Sequence, residues 1–365
     1  MENMEIRRAI LEAANQAGLD LVGVAPIEEA PESEDAAFFA AWLERGFAGE
    51  MAYLGGEKAE KRRNPTMVLP GARSAICAAL SYHSAAPLST NCPDPRRAWI
   101  SRYAWGSDYH EVLRAKLEST LARLRELLSE PFEARVYVDT GPILERALAR
   151  RTGVGWLGKN TCLLNQQVGS WFFLGEILTT LEVPPDSPAP DRCGSCTRCI
   201  DACPTQAILE PRVLDSTRCI AYWTIEVKGV IPEELRPALG RHVFGCDICQ
   251  DVCPWNRRAP VSPLQEFQPR PGLLNPPLEE LASLTEDEFR RLFHNSPVKR
   301  TGYRRFLRNV CIAMGNSGNP KFIPHLERLA AREDPLIREH ARWALERYFS
   351  TGRRGSVPQS SQEPS

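Results

Sequence analysis

The hydrophobic pattern of the chain changes period several times. Ile6, Ile10, Leu11 and Ala14 recur at helical spacing and predict a helix over 4–18, with Gly18 as its stop. The apolar run LDLVGVAPI (19–27) has the length of a buried strand, 36–54 suggests a second helix, and ARSAICAALSY (72–82) opens as a core strand. Proline and small polar residues mark 84–98 as a loop. Leu113, Leu117, Leu121, Leu124 and Leu128 predict a long amphipathic helix over 110–128. The segment ARVYVDTGPILERALARRTG (134–153) runs from strand through a turn into helix. Together these elements predict an α/β (α+β) domain over 1–185.

Beyond it, Pro184, Pro185, Pro188 and Pro190 form a linker into a cysteine-rich segment over 186–258. A second proline-rich passage leads to an all-α domain over 259–350. Its helices are expected at 278–293, 303–314, 320–332 and 335–349. The last two, joined by a D-P turn, resemble a HEAT-type unit. The polar end, 351–365, is expected to be a disordered tail without a role.

Composition acts mainly by exclusion. With 365 residues, 25% charged and 43% hydrophobic, the chain reads as a soluble globular protein of several domains. A net charge of −1 gives no whole-molecule signature for nucleic acid, so any basic surface must be local. No apolar run approaches a membrane span, MENMEIRRAI lacks a signal-peptide core, and no twin-arginine leader is present. Twelve cysteines with no secretory signal fit a reducing, cytoplasmic setting.

The cysteines change the picture. Cys193-x2-Cys196-x2-Cys199-x3-Cys203-Pro204 has the spacing of a bacterial ferredoxin ligand run. Cys246-x2-Cys249-x3-Cys253-Pro254 lacks the leading cysteine, because Val243 stands there, and Cys219 is the substitute. In paired runs the last cysteine of each block serves the other cluster. One set is then Cys193, Cys196, Cys199 and Cys253, and the other Cys203, Cys219, Cys246 and Cys249. Two 4Fe-4S clusters are the favoured reading, over two four-cysteine zinc sites or a disulfide framework. Cys77, Cys92, Cys162 and Cys311 have no ligand spacing, and Cys77 and Cys162 read as buried small hydrophobes.

Asp139 ends a predicted strand before a Gly-Pro turn, where α/β folds present side chains to ligands; helix capping is the plainer alternative. GVGWLGKN (153–160) fits neither nucleotide-loop pattern, so its glycines read as a tight turn or a close approach to a flat ligand. VDTGPILER, GWLGKNTCLL, GSWFFLGEILT, SRYAWGSDYH and the two cysteine blocks together resemble the epoxyqueuosine reductases, over roughly 5–350. The resemblance implies a cobalamin-binding domain, a ferredoxin-like two-cluster domain and a HEAT-like helical end. It implies reduction of epoxyqueuosine to queuosine at the tRNA wobble position by cob(I)alamin fed from two clusters, with Asp139 as proton donor. Such an acid is expected to have its pKa raised by desolvation. The resemblance further implies Asp108 and Arg146 in the substrate pocket, and Arg62, Arg102, Leu163 and Asp139 around cobalamin. His110 is expected to be structural, because DYHEVL lacks the glycine of the D-x-H-x-x-G cobalt-ligand motif.

Each of these residues also has a plainer role open to it. Arg146 can pair with a surface acid, Asp108 can cap a helix, Leu163 can be core, and Arg62 can lie on a solvated turn. For RNA, Lys299, Arg300, Arg304, Arg305 and Arg308 form an acid-free run. If the helix reaches back to 300, Arg300, Arg304 and Arg308 make one phosphate-facing stripe; Gly302 opposes that extension. The protein is expected to be a monomer that takes electrons from an external donor. A reductive dehalogenase-like enzyme and a two-cluster electron carrier without a catalytic site are the alternatives.

Overall fold

The computed structural model describes residues 3–27 and 33–353. Its N-terminal half is built on a four-stranded sheet. The strands β1 (Leu21–Pro26), β2 (Ser74–Ser81), β3 (Ala134–Tyr137) and β4 (Phe172–Thr179) lie in the order β1-β2-β4-β3. All neighbouring pairs are antiparallel, so Asp139 does not owe its position to the carboxyl edge of a parallel sheet. Every residue of β2 is buried, as befits a strand covered on both faces. On one face Ile76, Ala78, Leu80 and Ile177 pack beneath two helices, α1 (Asn3–Gln16) and the long helix Tyr109–Leu127. On the other, Ala75, Cys77, Ala79 and Leu178 meet Leu148 and Leu163.

Local chemistry sets the ends of these elements. Gly18, at φ 71, closes α1 by donating its N–H to the Asn15 carbonyl. Ser33 caps α2 (Glu34–Glu44), which is shorter than the helix expected over 36–54. Gly46 and Gly49 adopt φ values of 73 and 54, and the chain leaves the helix there. Asp108 caps α3 (Tyr109–Leu127), and the turn after β3 feeds the short α4 (Glu145–Arg150).

Each cysteine block ends in a single helical turn, Arg198–Asp201 and Ile248–Asp251, and the two turns pack on each other. The C-terminal part holds α5 (Tyr303–Ser317), α6 (Ile323–Ala330) and α7 (Pro335–Arg353). The short strand Trp99–Ile100 pairs in parallel with His242–Phe244, and both lie in one core with Phe306, Val310 and Met314. The 98–105 segment therefore shares its core with the helical end. The last helix reaches Arg353, and the rest of the expected tail, 354–365, lies outside the described residues. No helix among those described is long and apolar enough to cross a membrane.

Candidate active site

The face of the sheet carrying Cys77 and Leu178 borders a cavity of ≈ 650 Å³. Phe172 and Leu174 rise into it from β4, and Tyr53, Tyr103 and Tyr109 add aromatic wall. Tyr109 is held by a parallel stack on Phe173, with ring centroids 4.2 Å apart. Cys162 and Gln250 line the cavity toward the cysteine blocks.

Asp139 stands at the cavity edge in a γ-turn. Its φ is 57, and the Thr140 N–H donates to the Val138 carbonyl at 2.6 Å. So strained a turn persists only where its surroundings impose it. The Asp139 N–H donates to Glu145 Oε1 at 2.5 Å, and Arg62 donates to the Gly141 carbonyl at 3.4 Å. Gly141 itself cannot be larger, because a Cβ there would lie 2.4 Å from the Tyr137 ring.

The Asp139 carboxylate, 41% exposed and open to the cavity, accepts from His110 Nε2 at 3.2 Å, with Arg300 Nη1 at 3.6 Å. The other ring nitrogen of His110 meets Asp108 Oδ1 at 2.7 Å. An imidazole with a carboxylate at each nitrogen donates from both, so it is an imidazolium. Burial alone would lower the His110 pKa, but Asp108 and Asp139 outweigh it and push it up to about 9. Burial likewise favours neutral Asp139, yet His110, Arg300 and Tyr109 hold its pKa below the usual carboxylate value. This reverses the expected desolvated acid: pairing outweighs burial, and the proton of the couple rests on His110. His110 is therefore a member of the site, and neither ring nitrogen is free for a metal.

The other expected site residues divide. Leu163 lines the cavity from the hairpin formed by Trp156–Leu157 and Leu163–Leu164. Arg62 is buried at the cavity wall, not on a solvated turn, and also donates to the Tyr53 carbonyl at 3.0 Å. Arg146 lines the cavity while donating to the Thr161 carbonyl at 2.5 Å. Asp108 caps α3 and orients His110. Arg102 lies outside the cavity lining. Its guanidinium is buried against Trp105 and Trp171 and donates to the Ser84 and Ala86 carbonyls at 2.7 and 3.1 Å. Arg102, expected around cobalamin, is thus held by protein groups.

The single basic stripe is corrected as well. Residues 297–301 form a 3-10 turn, Gly302 at φ 71 interrupts the chain, and α5 starts only at Tyr303. Arg300 turns toward the cavity mouth, bonding Glu226 at 2.7 Å beside Asp139. Arg304 pairs with Asp334 on the surface, and Arg305 donates to the Ile225 and Glu226 carbonyls at 3.0 and 3.3 Å. Arg308 is fully buried and donates to the carbonyls of Trp223, Val227 and Gly229 at 2.7–2.9 Å. Lys299 is exposed and acts electrostatically on Asp108.

The eight block cysteines form two neighbourhoods. Cys199 is raised in pKa by burial and by Cys193 and Cys196, and Cys253 by burial, Cys193 and Cys199. Burial raises Cys246 too, with Cys219 and Cys203 adding to it, and Cys249 feels both Cys246 and Cys219. Among the described residues no three metal-ligating side chains converge as on a single ion. The GVGWLGKN hairpin ties the cavity to these loops: Lys159 donates to the Gly194 and Cys196 carbonyls at 2.7 and 2.9 Å, and Asn160 to that of Cys249 at 3.4 Å. Cys162, expected as plain core, faces the cavity beside the Cys249 thiol.

A cysteine-bound cofactor segment beside an aromatic cavity is the plan of an iron–sulfur oxidoreductase, and residues 192–256 match the family described as a 4Fe-4S double cluster binding domain. Residues 62–140 match the family described as epoxyqueuosine reductase QueG. The epoxyqueuosine reductase of Pseudomonas aeruginosa is 42% identical over 356 residues, covering 95% of each chain. That of Xanthomonas campestris pv. campestris is 42% identical over 335 residues, 91% of this chain and 93% of the relative. A crystal structure of an epoxyqueuosine reductase with an epoxyqueuosine-modified tRNA-Tyr stem loop superposes with a TM-score of 0.85 at 30% identity, over 98% of this chain and 96% of that one. The chain belongs to the epoxyqueuosine reductase family.

Proposed function

We propose that this protein reduces epoxyqueuosine to queuosine at the wobble position of tRNA, with cobalamin in the cavity and two 4Fe-4S clusters on the eight block cysteines. The observation that carries the reading is the Asp139–His110 couple at the edge of an aromatic cavity whose far wall adjoins those cysteines. The residues fit the groups. Flat aromatic and aliphatic walls suit a corrin, with Leu163 against it and Arg62 behind the reactive turn. Thiols gathered in two fours, at the spacing of a ferredoxin ligand run, suit two clusters. Cys193, Cys196, Cys199 and Cys253 would hold one cluster, and Cys203, Cys219, Cys246 and Cys249 the other. The three-part division at 185 and 258 is proposed with this reading, with the 98–105 segment crossing it to pack in the helical core.

Reducing an epoxide to an alkene breaks both C–O bonds, forms the second carbon–carbon bond and releases the oxygen as water. It consumes two electrons and two protons. When bound, cobalamin supplies a two-electron nucleophile and the clusters supply single electrons, refilled by an external donor. The chain supplies the acid. As negative charge grows on the leaving oxygen, His110 Nε2 passes its proton to Asp139 Oδ2, and Asp139 hands that same proton on to the oxygen. Arg300 stabilises the carboxylate between turnovers. Lys299 and Arg300, exposed at the mouth, are the basic groups best placed for RNA phosphates.

Asp139→Asn tests the reading. The variant should keep iron and cobalt and lose turnover by about 100-fold or more, the scale of general acid catalysis. Near-normal turnover would remove Asp139 from the chemistry.

A further inference from the structure

The reaction takes two protons, and the His110–Asp139 couple accounts for one. Behind Asp139 lies a second acidic group. Glu176 sits mid-strand in β4, in the row of Phe172, Leu174 and Leu178 that faces the cavity side of the sheet. It is fully buried, and neither carboxyl oxygen receives a bond from an N–H or hydroxyl among the described residues. The group it faces is the carboxyl of Glu145. A buried carboxylate with no donor is too costly to ionise, and two carboxyls in contact cannot both do so. Glu176 therefore keeps a proton. Glu145 lines the cavity and accepts the Asp139 N–H at 2.5 Å, so the pair extends from the sheet interior to the reactive turn.

We propose that Glu145 and Glu176 form a buried proton store that supplies the second proton of the epoxide reduction; this rests on the reaction assigned above. Glu145, which lines the cavity, gives its proton to the leaving oxygen, and Glu176 refills Glu145. One O–H bond breaks at each donor and one forms at each acceptor, with no change of oxidation state. The store regains its proton from solvent through Glu145 between turnovers. The charges facing the pair are consistent with this. Asp139 favours the protonated form of Glu145, Arg146 and Arg62 oppose it, and Cys77 and Tyr109 are neutral neighbours raised in pKa chiefly by burial. Burial first, then Asp139, pushes Glu145 up to about 7, and burial and Glu145 push Glu176 well above the ordinary carboxylate value. The pair is thus loaded at neutral pH and able to release.

The test uses holoenzyme reconstituted with iron and cobalamin, a stem-loop RNA carrying epoxyqueuosine, and infrared spectroscopy. Wild type should show a deuterium-sensitive band of a protonated carboxyl that Glu176→Gln removes. The variant should turn over about tenfold or more slowly, within the range of lost acid catalysis. The wild-type rate should fall as pH rises through about 7, and that limb should move in the variant, because Glu145 loses its coupled partner. Glu145→Gln, which keeps an acceptor for the Asp139 N–H, should slow turnover likewise and abolish the limb, with unchanged iron and cobalt. A merely structural pair would leave the pH limb in place in both variants. The store is overturned by a missing band, or by a band whose removal leaves rate and pH profile unchanged. Wild type that shows the band but never converts the RNA overturns the assigned reaction instead.

Discussion

A carboxylate held by an imidazolium and a guanidinium ionises even where burial opposes it, and Asp139 is such a group. The sequence marks Asp139 by its place before a Gly-Pro turn, but not its charge state. His110 is 29 residues away, and Arg300 comes from beyond the cysteine blocks, so no local pattern joins them. Read within DYHEVL alone, His110 looks structural. Glu176 left a clearer trace, as the single acid in the apolar run WFFLGEIL. His110→Gln should keep the fold and cofactors and slow turnover by about 100-fold, since the acid couple loses its proton source. Wild-type turnover should also fall as pH rises through about 9, where His110 deprotonates, and His110→Gln should lack that limb. Stability carries the same sign. The folded pKa of His110 lies above its ordinary 6.5, so its contribution is complete below 6.5 and lost as pH rises through about 9. Thermal denaturation of wild type and His110→Gln across that range checks it.

At the scale of elements, periodicity located α1 and α3 because each buries one stripe, whereas α5 is buried on every side from Phe306 to Gly315. It gave no strand at 172–179, the centre of the sheet, and overran α2, where Gly46 and Gly49 turn the chain. Acid-free spacing also overstated the basic stripe. Arg308, fully buried, holds three carbonyls of the 223–229 segment against α5. Arg308→Ala would leave those carbonyls without donors and should cost about 3 kcal/mol, read as a lower midpoint of denaturation. RNA affinity of the folded fraction should not change. Lys299→Ala should do the opposite, weakening RNA binding and reducing its salt slope by about one ion while the midpoint stays put.

At the scale of the whole molecule, the cysteine spacing was legible because cluster ligands cannot drift in sequence without losing their metal. The cavity was not, since β4, α2, α4 and the 156–164 hairpin approach it from across the chain. The same hairpin bonds both cysteine loops, so removing iron with a chelator should loosen Leu163 and the cavity wall, seen as faster hydrogen exchange at 156–164. Unchanged exchange would separate the two sites. Epoxide reduction by this chain is tested by mass analysis of an epoxyqueuosine stem loop after a single turnover with anaerobic, iron- and cobalamin-loaded protein. Wild type should remove one oxygen from the modified base, and Asp139→Asn should leave the base unchanged. An unchanged base with fully loaded wild-type protein would contradict the assigned reaction.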